Sequence, residues 1–123
     1  MKTIDKVAAQ GEITIYRKDA AAARTFFKGG TKLKAEHGRL IIGHSETGHH
    51  HVIAAGGVDV MEMPAPSQGI RLLRMIVADP DKKLVHERGH DTHEAIGLPP
   101  GNYEIRIGRE YDPYAQLARQ QAD

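Results

Sequence analysis

Short apolar runs with a period of two recur along this chain, each closed by a glycine, proline or aspartate turn, and they leave little room for helices. Glu12-Ile13-Thr14-Ile15-Tyr16 follows Gly11 and has the β-branched, aromatic make-up of a strand. Arg39-Leu40-Ile41-Ile42 runs into Gly43 as a buried-type strand. Val58-Asp59-Val60-Met61-Glu62-Met63 alternates apolar and acidic residues, as a strand with one wet face does. Pro64, Pro66 and Gly69 then break the chain, and Ile70 to Val77 resumes as a long apolar strand ended by Asp79-Pro80-Asp81. Lys83 to His86 makes a further short strand, and the turn Leu98-Pro99-Pro100-Gly101 leads into Tyr103-Glu104-Ile105-Arg106-Ile107. About seven short strands predict an all-β, mainly antiparallel fold, a small barrel or sandwich. Two short helices are expected beside them. One covers Ala20 to Phe27, capped by Asp19 and stopped by Gly29-Gly30; the other is C-terminal, Pro113 to Gln121, capped by Asp112.

A chain of 123 residues fits one domain with one core, so residues 1–123 are expected to fold as a single unit. Aromatics make up only 5% and Trp is absent, so that core must be built from aliphatic residues. Leu72, Leu73, Met75, Ile76 and Val77 put apolar groups on both faces of one strand, which predicts a homo-oligomer. A net charge of +1 supplies no overall field for nucleic acid or anionic membrane. Cysteine is absent, which excludes disulfides, iron–sulfur clusters, thiolate metal sites and cysteine nucleophiles together. Charges in Met1-Lys2-Thr3-Ile4-Asp5-Lys6 stand where a signal peptide needs its apolar run, and no stretch approaches a membrane span, so a cytoplasmic location is expected.

The chemical signal is histidine. There are 8, and all but His37 fall in two windows, Gly43 to Ile53 and His86 to Glu94. In an extended segment, alternation puts His49, His51 and Ile53 on one face and His50 and Val52 on the other. Two imidazoles two residues apart on a strand can share a metal, with further ligands supplied by His86 or His93 and by Glu87 from the second window. A divalent ion of the imidazole–carboxylate class (zinc, iron, nickel or manganese) is the expected cofactor. His37 and His44 are read as solvated loop histidines.

Gly43, five residues, then His49-x-His51 resembles the first motif of the cupins, G(x)5HxH, in which a glycine turn feeds a strand whose histidines point into a small β-barrel. Residues 52 to 57, Val-Ile-Ala-Ala-Gly-Gly, lack the glutamate that follows in that family. Leu98-Pro99-Pro100-Gly101 is similar to the proline-glycine turn of the second cupin motif, with Tyr103 about where its histidine would be. The resemblance implies a cupin-like fold. His86-Glu87-Arg88-Gly89-His90 spells HExxH, the helical zinc-peptidase motif, but Gly89 and the missing apolar stripe predict a strand end and loop instead.

A wider resemblance is carried by Thr47-Gly48-His49-His50-His51-Val52-Ile53, Leu84-Val85-His86-Glu87, His93 to Ile105 and Arg109-Glu110-Tyr111. These segments resemble a family of short bacterial and phage proteins whose pattern runs GEVTGHxHxI, then LxHEEHxPIxLPPGxYxVxxQREY. That resemblance implies His49, His51, His86 and His93 as the site histidines and implies no particular reaction. The chain departs from the pattern by an insertion at about Gly89 to Thr92, which adds His90, and by Ala95 in place of proline.

Three functions follow for testing. The first is a metal-binding β protein using His49, His51, His86 and His93, with Glu87 as ligand or proton acceptor. The second is metal-free acid–base chemistry on a nucleotide or phosphodiester, with paired histidines donating and accepting protons, His90 among them, since His90-Asp91-Thr92 resembles the H-x-T element of two-histidine phosphoesterases. The third is a phage-associated interaction module whose histidines are incidental or tune an interface with pH.

Overall fold

The computed structural model describes residues 1–44, 50–87 and 94–108. In chain order its elements are β1 (Lys2–Thr3), β2 (Val7–Gln10), β3 (Ile13–Lys18), α1 (Ala23–Phe26), β4 (Thr31–Lys32), β5 (Arg39–Gly43), β6 (His51–Ala54), β7 (Val58–Met63), β8 (Ile70–Val77), β9 (Lys82–His86), β10 (Ile96–Leu98) and β11 (Gly101–Gly108). The strands form a five-stranded sheet, β1-β10-β9-β6-β5, and a six-stranded sheet, β2-β3-β11-β8-β7-β4. Every pairing is antiparallel except that of β1 with β10. Among the described residues both sheets end in edge strands, so of the two expected architectures the chain takes the sandwich and not a closed barrel.

Alternation explains which faces meet. Ile13 and Ile15, Leu73, Met75 and Val77, and Tyr103, Ile105 and Ile107 all point inward from the larger sheet. Leu40, Ile42, Ile53, Leu84, Ile96 and Leu98 face them from the smaller one. Each such side chain, buried, contributes about 1.5–3 kcal/mol, so the aliphatic core expected from the scarcity of aromatics suffices to hold the sheets together. Tyr103 is the aromatic exception. Fully buried, it donates its hydroxyl to the Pro99 carbonyl and so pins the turn that carries the chain from β10 in one sheet to β11 in the other.

Helix α1 is a single turn rather than the expected Ala20–Phe27 helix. Ala22 stands at its N-cap with no side-chain cap hydrogen bond, so neither Asp19 nor the alanine run extends it. Tertiary contact holds the turn instead: Arg74 donates to the Phe26 carbonyl at 3.0 Å and lies 5.2 Å from the Phe26 ring centre. The expected helix at Pro113–Gln121 lies outside the described residues. Among the described residues, no helix is long and apolar enough to cross a membrane.

Burial pushes the Tyr103 phenol above its ordinary value of 10.0, and the Arg17 guanidinium pulls it part of the way back. A raised pKa favours the neutral form in the folded state. The stability it contributes is therefore complete below pH 10.0 and is lost as pH rises through the raised value. Ultraviolet titration should show a phenol that ionises above pH 10.0, with resistance to urea falling in the same alkaline range. Loss of that ionisation in Tyr103→Phe assigns it; an unchanged titration contradicts the assignment.

Candidate functional site

Strands β6 and β9 are neighbours in the smaller sheet, and their register sets His51 opposite His86. Glu87 donates its backbone N–H to the His50 carbonyl at 2.8 Å, which makes residues 50 and 87 a hydrogen-bonded pair. The next pair, His51 and His86, is then of the non-hydrogen-bonded kind, in which side chains approach most closely. Their rings stack with centres 4.2 Å apart and planes 3° from parallel. Both share the inward parity of Ile53 and Leu84, so they stand at one end of the space between the sheets.

Gln10 sets the chemistry of this pair. Only 2% exposed, it donates its amide to the carbonyls of Leu84 at 3.3 Å and Glu94 at 3.0 Å. A carbonyl can only accept, so those bonds fix the amide nitrogen and leave Oε1 as the atom 2.7 Å from His51 Nδ1. Nδ1 must therefore carry the proton, and in the neutral ring the acceptor lone pair sits on Nε2. Outer-shell partners of metal-binding histidines orient their rings in this way.

Gly43 explains itself here. It lies opposite His51, and a Cβ on it would stand 2.9 Å from Ile13 Cδ1 and 3.3 Å from His51 Cδ2. A larger residue would require Ile13 Cδ1 to move and the His51 ring to give by a few tenths of an ångström, so the glycine noted in the sequence as a turn also permits close approach.

Of the residues singled out from sequence, His51 and His86 come together. His50 takes the other face of the sheet, its ring 5.2 Å from that of His44. Glu87 also takes that outer face. It is one residue along the strand from His86, and its carboxylate is ion-paired with Arg39 at a cleft of about 520 Å3 floored by Val52, Ala54 and Val85. Residues 82–86 form strand β9, so His86 does not lie on the helix that the HExxH motif requires. His49, His90 and His93 lie outside the described residues. Among the described residues, no group of three or more His, Cys, Asp or Glu could hold a metal ion.

Sequence reading missed three polar residues at this end of the sandwich: Gln10, Arg71 and Glu62. Arg71 has the parity of Leu73, Met75 and Val77 and pairs with core residue Ile107, so its side chain starts from the inward face. Glu62 is its diagonal neighbour on β7 and receives hydrogen bonds from Arg71 Nη2 at 2.7 Å and Nε at 3.2 Å. Arg71 Nη1 reaches across to the Ile42 carbonyl of the opposite sheet at 3.5 Å. A signal did exist: a charged residue on the apolar parity of a core strand.

A family model described as Domain of unknown function (DUF8820) matches residues 9–108. The chain belongs to the DUF8820 family. The DUF8820 match takes in both histidine windows, Gln10, Glu62, Arg71 and all of the structure from β3 to β11. No match was found among the curated proteins or the solved structures.

Proposed function

We propose that this DUF8820 protein binds a divalent metal ion, zinc, iron, nickel or manganese, at an imidazole centre founded on His51 and His86 and completed by His49 and His93. One observation carries the reading: histidines from two distant windows meet as a cross-strand pair, and Gln10 holds one of them in the tautomer whose Nε2 is the acceptor. The pair is adjacent but not yet in a ligating pose: rings stacked 3° from parallel aim their lone pairs along parallel planes, so both imidazoles must turn out of the stack for two nitrogens to reach one ion at about 2.0–2.1 Å each. The resemblance to the bacterial and phage pattern adds His49 and His93, the positions flanking this pair in sequence. With three protein ligands and an open position the ion would polarise water or an oxygen-bearing small molecule such as a nucleotide; with four ligands it would be structural. The test is metal analysis of protein purified without a histidine tag or a nickel column. An equimolar metal content, or saturable calorimetric binding of one of the four ions, is the expected result. Protein that arrives metal-free and binds none of them overturns the proposal.

A further inference from the structure

Arg71 and Glu62 start from inward positions of their strands, yet their side chains are 22% and 41% exposed, so the ion pair stands at the solvent-facing rim of the sandwich, at the end that carries the histidine pair. The geometry ties them to it through two consecutive residues: Arg71 Nη1 meets the Ile42 carbonyl, and Gly43 lies against the His51 ring. Gln10, His51, His86, Glu62 and Arg71 thus gather a polar mouth at one end of an otherwise aliphatic interior.

The guanidinium has five N–H donors in a fixed fork. Glu62 takes the side edge, using Nε and one hydrogen of Nη2, while the Ile42 carbonyl takes one hydrogen of Nη1. Among the described residues these three bonds leave one N–H on Nη1 and one on Nη2, two donors on adjacent nitrogens able to meet the oxygens of a carboxylate or phosphoryl group. Glu62 holds the guanidinium in place from its side edge. We infer that this mouth takes a small oxyanion, carboxylate or phosphoryl, on the Nη1/Nη2 edge of Arg71. The inference deepens the metal-centre reading of the same site by naming the ligand class, an anion held by Arg71 beside the histidines.

The test is an amide NMR titration of protein dialysed free of metal and chelator, with inorganic phosphate in one arm and acetate in the other. Saturable shifts centred on the Ile42 and Gly43 amides are expected in at least one arm, and the stronger arm separates phosphoryl from carboxylate ligands. Arg71→Gln should weaken that binding about tenfold or more, and Arg71→Lys should recover only part of it, because a lysine keeps the charge and loses the fork. Glu62→Gln should tighten binding by removing a negative charge beside the anion while its amide oxygen can still accept from the side edge of Arg71, an effect that a purely structural ion pair would not give. If Arg71→Gln fails to fold, the double variant Glu62→Gln/Arg71→Gln, which removes both charges together, is read in its place. No saturable shift in either arm, or equal affinity in wild type and the arginine variant, overturns the inference. Because no metal is present in the titration, anion binding that depends on Arg71 stands even if metal analysis fails, and a metal-binding protein indifferent to Arg71 keeps the metal centre and loses this ligand.

Discussion

Zinc is expected to raise the Tm of the wild-type chain, and His51→Ala is expected to abolish that rise. A ligand present at a hundred times its dissociation constant adds about 2.7 kcal/mol, which for a domain of this size is a rise in Tm of about 10 °C. His51 is one half of the cross-strand pair and the half whose tautomer Gln10 sets, so its loss removes both the ligand and the preorganisation. His86→Ala should reduce the shift nearly as far. His50→Ala should leave it almost intact, since that ring lies against His44 on the other side of the sheet. His37→Ala should do the same: the residue is exposed, in a left-handed turn at φ 53°. Melts of the four variants with and without zinc decide the matter, and a His50 variant that loses as much as the His51 variant would show that the wrong face has been chosen.

Gln10→Leu is the second change with a large expected effect. The leucine is similar in size and apolar, so the core end stays filled, but Leu84 O, Glu94 O and His51 Nδ1 all lose the amide they share. The Leu84 contact is buried and its loss costs about 1–3 kcal/mol, whereas the Glu94 and His51 contacts are part-buried and water can replace some of what they lose. Metal affinity should fall about 10- to 100-fold, the usual penalty for removing an outer-shell partner. Calorimetry with zinc and a urea melt on the same sample separate the two losses. Zinc affinity equal to wild type in a destabilised Gln10→Leu protein would mean that Gln10 only supports the fold.

The parts of the fold that were legible in the sequence are those specified locally. Val58–Met63 and Ile70–Val77 are the strands that alternation and flanking prolines and glycines predict, with those bounds. Strand β2 was not legible: Val7-Ala8-Ala9-Gln10 has little strand propensity and is held by its register with β3, from Val7 opposite Tyr16 to Gln10 opposite Ile13. The alanine run after Asp19 misled in the other direction, because one helical turn packed by Arg74 outweighs intrinsic propensity. At the site, clustering drew attention to His51 and His86. Gln10, Glu62 and Arg71 became visible only once the two sheets were laid against each other, since no spacing in the sequence places them together. Glu87 has a different explanation: the period-two rule applied to its own strand puts it on the face opposite His86.

The Gln10 hydrogen bonds span 74 residues to Leu84 and 84 to Glu94. Contacts of such sequence separation close late, because the loop entropy must be met before they contribute. A chain still emerging from the ribosome can carry the first histidine window and most of both sheets, yet it has no second carbonyl for the glutamine until Glu94 has been added. The orientation of His51 is thus among the last things the polypeptide acquires. On the proposed metal-binding reading, capture of the ion would be tied to completion of the fold, and an unfinished or truncated product would offer only loosely held imidazoles.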